Sequence, residues 1–521
     1  MDLENIQSIE KATRFGRGEL FRIGTALLFI VIIMLYSRSI AGHSPNLVLL
    51  VVAAMIGGYM ALNIGANDVA NNVGPAVGSR ALTMTGAIMI AAIFEAGGAL
   101  IAGGDVVSTI KKGIIDPAMI QDADTFIWIM MAALLAGALW LNAATAIGAP
   151  VSTTHSIVGG VLGAGIAAGG IGIANWDQFA KIVASWVISP VMGGFIAAAF
   201  LYAIKRGITY QKDMVEAAKR HVPTLVGLMA WAFATYLVMK GLSKMVKIGF
   251  PVAFIGGFFF GVVIWYLVRW LVRSTAGNIE NTKSSIDELF TIPLIFAAAL
   301  LSFAHGANDV ANAVGPLAAI NESILHGAVA TKAAVPLWVL MVGAIGIVLG
   351  LALYGPKLVR TVGSEITELD RMRAYCIAMA ASITVIIASQ LGLPVSSTHI
   401  AVGGVFGVGF LREHLKVTYR AIIDEIELHH VGADRQVVEE YLERFNNASF
   451  HEKGDMLRIL KSKGIVLISK EERKSLRRVY RQELVKRSAL LKIAAAWIIT
   501  VPASGLLAAI LYYTIRGMLL P

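Results

Sequence analysis

Long apolar segments alternate with short polar connections along almost the whole chain. An apolar run of about 20 residues is long enough to cross a bilayer as a helix. The segments predicted as helices, thirteen in all, lie near residues 21–41, 46–62, 83–103, 125–147, 148–165, 178–204, 222–241, 250–273, 289–304, 330–353, 374–391, 394–411 and 491–515. The pattern predicts an all-α, polytopic membrane protein with 12–13 transmembrane segments, the shorter of which suit half-helices or re-entrant hairpins.

Two polar motifs interrupt this pattern, and each of them occurs twice. The stretch Gly65–Pro75 reads GANDVANNVGP and returns 241 residues later as GANDVANAVGP at Gly306–Pro316. The stretch Gly148–Gly160 reads GAPVSTTHSIVGG and returns 244 residues later as GLPVSSTHIAVGG at Gly392–Gly404. Because the motifs keep their order and nearly their offset, we predict an internal structural repeat.

The distribution of basic residues predicts that the two repeats are inverted in the membrane. Loop 166–177 of the first repeat contains no Lys or Arg, whereas its counterpart at 412–490 is rich in both. The positive-inside rule then places these loops on opposite sides and the N-terminus in the cytoplasm. The predicted organisation is a cytoplasmic N-terminus at 1–20, an extra transmembrane helix at 21–41, repeat one at 46–204, a connector with two transmembrane helices at 205–288, and repeat two at 289–515, which contains a cytoplasmic helical insertion at 412–490.

The composition supports a membrane protein and narrows its chemistry. Hydrophobic residues make up 57% of the chain and charged residues 15%, against roughly 25% charged residues in a soluble domain. The single cysteine, Cys376, excludes an intramolecular disulfide framework and a thiolate metal cluster. The net charge of +10 is explained by cytoplasmic loops rather than by binding of nucleic acid. We therefore expect a multi-pass protein of the cell membrane, which is the inner membrane in a bacterium.

Each copy of the first motif places a carboxylate inside an apolar segment, at Asp68 and Asp309. A charged side chain at the bilayer centre costs roughly 3 kcal/mol on insertion scales, so such a residue marks a functional site. The flanking glycines and prolines are expected to break the helix around it and to release backbone groups. Hard oxygen ligands without Cys or His suit a small hard cation. The predicted cation ligands are Asn67, Asp68, Asn71, Asn308, Asp309 and Asn312.

The second motif predicts a site for an anion. Pro150 and Pro394 are expected in the first turn of a helix, followed there by Ser152–Thr154 and Ser396–Thr398. Free N–H groups, hydroxyls and the helix dipole then point the same way and can hold an oxyanion. A protonated oxyanion could also donate its hydrogen to an aspartate. Phosphate has such a hydrogen at neutral pH and sulfate does not, so the residues favour phosphate.

Inverted repeats with interrupted helices are typical of secondary transporters, whose site lies near the membrane midplane. The duplicated motifs resemble those of the inorganic phosphate transporter (PiT) family, which includes sodium–phosphate and proton–phosphate symporters. The resemblance covers roughly residues 46–411 and the last span. It implies a non-enzymatic, inverted-repeat bundle that binds phosphate and its cation together. It places around the phosphate Asp68, Asn71, Ser152, Thr153, Thr154, Asp309, Asn312, Ser396, Ser397 and Thr398.

Details of the motif favour sodium as the coupling ion, with a proton as the alternative. Proton-coupled members of the family often have Phe-His where Ala66–Asn67 and Ala307–Asn308 stand here, so this chain looks like the sodium-coupled branch. No other cofactor is implied. The expected partners are inorganic phosphate, sodium and the lipid bilayer, without nucleic acid, and a homodimer is left open.

Three further polar residues and three other functions stay open at this point. His155 and His399 lie either just behind the site or in a structural role, and Glu95 is either a cation or proton carrier or a structural acid without a counterpart near Ile345. A sulfate or other oxyanion permease is the main alternative function. An intramembrane hydrolase built on Ser–His pairs is disfavoured because it needs one nucleophile rather than two mirrored copies. A passive anion channel is disfavoured because channels use rings of like charge.

Overall fold

A computed structural model describes residues 3–41, 46–120, 122–149, 151–241, 248–275, 280–329, 335–365, 369–414, 440–444, 456 and 487–519. The helices are α1 Leu3–Ala41, α2 Leu47–Asn67, α3 Ala70–Gly78, α4 Met84–Ala102, α5 Gly104–Lys112, α6 Ala123–Ile147, α7 Thr153–Gly169, α8 Trp176–Ile204, α9 Met214–Lys240, α10 Phe250–Thr275, α11 Lys283–Leu289, α12 Thr291–Asp309, α13 Ala311–His326, α14 Leu337–Glu365, α15 Arg371–Gln390, α16 Ser397–His414 and α17 Arg487–Leu519. Contacts divide the chain into Met1–Val408 with Leu491–Pro521 and a second unit, Gly409–Leu490. The predicted insertion at 412–490 lies almost entirely outside the described residues.

The all-α, polytopic architecture is confirmed. Eleven helices in the described part of the chain are long and apolar enough to cross a membrane. The two predicted segments that are missing from this set, 148–165 and 394–411, form the shorter helices α7 and α16. Short non-helical connections, of which Pro150 lies outside the described residues, join α6 to α7 and α15 to α16. We call residues 148–152 and 392–396 the hairpin tips.

Helices of one repeat pack on helices of the other through glycines of the first motif. Helix α14 packs on α2, and α4 packs on α12. A methyl group on Gly65 would lie 1.9 Å from the carbonyl oxygen of Ile347, and one on Gly306 would lie 2.2 Å from that of Glu95. Only glycine allows two backbones to approach this closely. The two crossings are equivalent, so Ile347 is the structural counterpart of Glu95.

The two short helices are held in the same way against the last helix of the opposite repeat. A methyl group on Gly163 of α7 would lie 2.2 Å from the carbonyl oxygen of Gly505 in α17. On Gly407 of α16 it would lie 1.9 Å from the carbonyl oxygen of Gly194 in α8. Gly163 and Gly407 are 244 residues apart, which is the offset of the second motif, whereas Gly194 and Gly505 are 311 residues apart because repeat two contains the insertion at 412–490. The repeated sequence therefore corresponds to repeated packing, and each half completes the other.

One carboxylate outside the spanning helices ties the start of α15 to α11, and we predict a measurable loss of stability without it. Asp287 accepts the backbone N–H groups of Arg371 at 3.2 Å and Met372 at 3.0 Å. We expect Asp287→Ala to lower the free energy of unfolding by about 1–2 kcal/mol, because two N-terminal donors lose their acceptor. Asp287→Asn, which keeps an acceptor oxygen, should lose less. Thermal unfolding in detergent measures both variants.

The pH dependence gives a second readout of this contact. Burial raises the pKa of the Asp287 carboxyl, and the two backbone N–H groups only partly offset that effect. A carboxyl with a raised folded-state pKa contributes stability that is lost as pH rises above its unfolded value, about 3.9. The Asp287→Asn protein should therefore gain relative to wild type as pH rises through this range. An identical pH profile for the two proteins would contradict this.

Candidate functional site

The acidic turns of the first motif are short breaks between helices rather than open loops. Helix α2 ends at Asn67 and α3 begins at Ala70, while α12 ends at Asp309 and α13 begins at Ala311. Both Asp68 and Asp309 are buried, at 2% and 1% exposure. The turns thus place each carboxylate in the interior, at the junction of two half-helices.

The prolines of this motif do not break the helices, which corrects the expectation from sequence. Pro75 lies inside α3 and Pro316 inside α13. Since proline has no N–H, it cannot donate to the carbonyl four residues earlier. Those carbonyls belong to Asn71 and Asn312, one turn beyond the aspartates. The prolines therefore leave carbonyl oxygens beside the carboxylates without their intrahelical partners.

The hairpin tips also differ from expectation in where their helices begin. Helix α7 begins at Thr153 after Ser152, whose hydroxyl accepts the His155 N–H at 3.2 Å. Ser396 accepts the His399 N–H in the same way at 3.3 Å. The serine caps decide the helix start, so Pro394 lies in the extended tip before α16 and not in its first turn. Pro150 lies outside the described residues.

The four motif copies converge through hydrogen bonds that cross from one repeat to the other. Asn71 of the first repeat donates to the Thr398 hydroxyl at 2.8 Å, and Asn312 of the second donates to the Thr154 hydroxyl at 3.2 Å. Thr154 in turn donates to the carbonyl of Val395 at 3.0 Å. These contacts bring each acidic turn to the start of the opposite repeat's short helix. The separately predicted cation and anion residues thus form one buried site.

Within repeat one, a further contact closes this site, because the Thr153 hydroxyl donates to Oδ2 of Asp68. The other oxygen of Asp68 and Oδ1 of Asp309 are buried without a hydrogen-bond partner among the described residues. The side chain of Ser397, in the first turn of α16, is likewise buried and its hydroxyl lacks such a partner. Buried polar atoms are costly to leave unpaired, so these groups point to a ligand.

The remaining predicted cation residues, Asn67 and Asn308, are engaged with the hairpins. Asn67 donates to the hydroxyl of Thr145 and Asn308 to that of Ser389, each over 2.9 Å. Each amide also reaches a tip carbonyl, at 3.2 and 3.3 Å. An amide nitrogen that donates to protein holds its side chain in place. These two residues therefore connect the acidic turns to the tips.

A row of hydrogen-bonded polar side chains leads into the site, and it includes His305, which the sequence analysis does not predict. Nδ1 of His305 lies 2.8 Å from a Glu95 oxygen, and its Nε2 lies 2.8 Å from Oδ2 of Asp309. Asn72 donates to Glu95 over 2.7 Å. Glu95 and His305 have no solvent exposure. The signal for His305 was its position one turn before Asp309, which puts both on one helix face.

This group, with Asn72 and Glu95 from repeat one and His305 from repeat two, lies at the crossing of α4 and α12 and has no polar equivalent at the crossing of α2 and α14. The structural counterpart of Glu95 is Ile347, and the residues 241 positions from Asn72 and His305 are Ala313 and Ile64. All three counterparts are apolar and buried. The two halves therefore surround the site with equivalent aspartates but support them with different chemistry.

The site can hold a cation between the two halves. One atom each of Asp68, His305 and Asp309 lies within 4.8 Å of the others. Carboxylate and carbonyl oxygens suit hard cations, and imidazole nitrogen suits softer ones. The unpartnered oxygens of the two aspartates fit a hard cation, while His305 is already placed between carboxylates. The chemistry of the donors thus favours oxygen ligation.

The two histidines of the second motif form an aromatic stack between the halves. The His155 ring lies 3.7 Å from Trp186, and the His399 ring stacks on Trp497 at 3.6 Å. The two imidazoles meet edge to face at 4.4 Å. Since each serine of the Ser–His pairs contacts the histidine backbone instead of its ring, the pairs are helix caps and not nucleophile–base pairs.

Comparisons with known proteins agree with one another. Residues 64–508 match the Phosphate transporter family (PHO4). A protein of Helicobacter pylori J99 is 53% identical over 523 residues and 98% of both chains, and one of Pyrococcus horikoshii is 39% identical over 383 residues, 72% of this chain and 92% of its own. Both are named "Putative phosphate permease". A solved structure, "The sodium-dependent phosphate transporter", is 31% identical with a TM-score of 0.74, and the match covers 91% of this chain and 100% of that one.

Proposed function

The chain belongs to the phosphate transporter family, and from this premise we propose that it imports inorganic phosphate by symport with a cation, in which sodium is favoured over the proton. Family membership makes it a multi-pass membrane transporter and not an enzyme, so the hydrolase is excluded. We place it in the cell membrane with a cytoplasmic N-terminus. The observation that carries the proposal is the convergence of two acidic turns and two capped helix starts in one buried site.

Phosphate is proposed to lie at the starts of α7 and α16. First-turn N–H groups and the hydroxyls of Ser397 and Thr398 would bind its oxygens, where the helix dipoles favour an anion. The hydroxyls of Thr153 and Thr154 would join them by exchanging their present acceptors, Asp68 and the Val395 carbonyl, for phosphate. Ser152 and Ser396 would act mainly as caps, which hold these first turns in shape. A phosphate hydroxyl could donate to Asp68 or Asp309. Sulfate offers no such donor at neutral pH.

The cation is proposed to lie between the aspartates, where it offsets their repulsion of phosphate. The carboxylate oxygens and the carbonyls released by the two prolines offer hard oxygen ligands. The solved relative is named as sodium-dependent, and the Ala-Asn form of the acidic turns agrees with sodium. Asn67 and Asn308 would stiffen the site through the hairpin tips, so that ion binding and tip closure depend on each other.

Alternating access is proposed because the site has two hairpin tips, one in each repeat, with equivalent anchors. Inverted repeats give a site that opens to one side by moving one repeat against the other. In this scheme each tip closes one side. The cross-repeat bonds from Asn71 and Asn312 exist when both sides are closed. Opening either side would exchange one of them for water.

Uptake of labelled phosphate by proteoliposomes tests this function. We expect uptake to rise about tenfold or more with an inward sodium gradient, compared with choline, and to be inhibited by unlabelled phosphate but not by equal sulfate. A proton gradient alone should give much less. Uptake that does not change with any cation gradient would rule out symport. Stronger inhibition by sulfate than by unlabelled phosphate would indicate a sulfate permease. Flux that does not saturate would indicate a channel.

A further inference from the structure

At or beside each hairpin tip, a side chain from another helix donates to a backbone carbonyl, and these two contacts, which we call the fastenings, differ in charge. In repeat one, the ammonium of Lys357 on α14 donates to the carbonyl of Ala146, in the last turn of α6, over 3.0 Å. In repeat two, the neutral hydroxyl of Thr109 on α5 donates to the carbonyl of Gly392 over 2.7 Å. The inner contacts of the tips also differ, because the Trp186 indole donates to the carbonyl of Pro394 at 3.1 Å and Asn67 accepts the Val151 N–H at 3.2 Å. These inner donors are neutral, so the difference in charge lies in the outer contacts.

The proposed orientation puts these fastenings on opposite sides of the membrane. Counting the spans from a cytoplasmic N-terminus places the tip at 148–152 and the end of α14 towards the cytoplasm. The same count places α5 and the tip at 392–396 towards the outside. In each fastening, the two contacting segments are placed on the same side of the membrane by this count. The contacts are therefore consistent with the proposed orientation. The charged fastening is the cytoplasmic one.

We propose that Lys357 is a release latch for phosphate, an inference that rests on the proposed function. With the tip closed, its ammonium holds the Ala146 carbonyl. When the tip opens to the cytoplasm, phosphate oxygens replace that carbonyl as the acceptor, so Lys357 draws the anion out of the site. Once phosphate has left, the ammonium returns to Ala146 and the empty tip closes. Thr109 fastens the outer tip without attracting an anion.

The local structure suits a contact that must open in every cycle. Other carbonyls at the end of α6 are bonded within the tip itself, Thr145 to the Gly148 N–H at 3.0 Å and Ala144 to the Ala149 N–H at 2.9 Å. These bonds within the hairpin do not depend on Lys357 and would persist when its contact with Ala146 opens. The side chain of Lys357 is exposed, and such a contact at a helix C-terminus is weak and screened by salt. A lysine is a mobile point charge that binds phosphate without fixed geometry.

Membrane vesicles of both orientations test the latch. In inside-out vesicles, which present the cytoplasmic face, we expect Lys357→Met to weaken phosphate binding about tenfold at low salt and much less at high salt. In right-side-out vesicles, phosphate affinity should be unchanged, while net uptake slows more than phosphate–phosphate exchange. Lys357→Arg should restore most of the cytoplasmic affinity. Thr109→Val should alter only the outer face, with no dependence on salt.

Arg360→Met is the matched control, because it removes the same charge about one turn further along α14. The latch predicts that this variant keeps wild-type cytoplasmic affinity. Equal losses in Arg360→Met and Lys357→Met would show a general surface potential and overturn the latch. Wild-type affinity at the cytoplasmic face of Lys357→Met would do the same. Failure of the wild-type protein to carry phosphate would instead contradict the proposed function.

Discussion

Phosphate uptake is expected to fall at least about 100-fold when Asp309 is replaced by asparagine, with normal insertion in the membrane. The amide would keep the shape of the side chain but lose the charge that a cation needs, and the loss corresponds to about 2.7 kcal/mol of transition-state stabilisation. Asp309 has only 1% exposure, so no water replaces the missing ligand. Labelled uptake in proteoliposomes, normalised to the reconstituted protein, measures the effect.

Two further carboxylates make this prediction specific. Asp68→Asn should show a loss of similar size, because Asp68 belongs to the same cluster of potential ligands. Asp177→Asn removes an exposed acid at the start of α8 and should leave uptake unchanged. If Asp309→Asn retains wild-type uptake with wild-type dependence on sodium, the carboxylate has no part in ion binding.

Much of the fold could be predicted because a small number of physical constraints determines where a membrane helix forms. An apolar run long enough to cross the bilayer forms a helix almost regardless of its neighbours. The two shortest helices of the repeats, α7 and α16, show the limit of this rule. Segments 148–165 and 394–411 are apolar, but capping by Ser152 and Ser396 makes their helices start late and leaves an extended tip before each. Length alone cannot distinguish a short helix enclosed by others from one that faces lipid.

The site residues could be predicted from duplication, but their separate roles could not. Asp68 and Asp309 stood out because a buried charge needs a reason. By contrast, Asn67 and Asn71 look equivalent in sequence, yet one bonds its own repeat's hairpin and the other reaches Thr398 across the site. Which partner an amide finds depends on helix rotation, and this is set by the glycine crossings. Such contacts are tertiary and leave no local pattern.

His305 was missed because it has no duplicate. The motif residues are recognisable because they occur twice, and Glu95 because it is an acid inside an apolar segment, whereas a single histidine in such a segment has neither signal. Glu95 and His305 face apolar counterparts, Ile347 and Ile64, so their pairing is invisible to a search for symmetry. The asymmetry gives the two aspartates different surroundings, because Asp309 has the His305 nitrogen 2.8 Å away whereas Asp68 accepts the Thr153 hydroxyl.

The second large effect is expected when the polar residues Asn72, Glu95 and His305 are replaced by the apolar residues found at the equivalent positions. A single Glu95→Ile change leaves buried His305 and Asn72 without their carboxylate partner, so we expect about 3–5 kcal/mol of lost stability together with lost uptake. Replacing all three polar residues, in Asn72→Ala/Glu95→Ile/His305→Ile, reproduces the apolar trio that already packs at the equivalent crossing of α2 and α14. Replacing a buried ionic group by well-packed apolar residues is often neutral or stabilising by about 1–4 kcal/mol.

The triple variant therefore separates folding from transport. We expect its thermal unfolding temperature in detergent to return to the wild-type value or above, while phosphate uptake stays at least about 50-fold down because Oδ2 of Asp309 loses the nitrogen 2.8 Å away. The sodium concentration for half-maximal uptake should rise in whatever activity remains. Glu95→Gln is the conservative comparison, since its amide keeps hydrogen-bonding groups beside both neighbours, and it should unfold near wild type. If the triple variant transports normally, the three polar residues serve only to pack the helices. If it folds well and fails to transport, His305 positions the aspartate that is proposed to hold the cation.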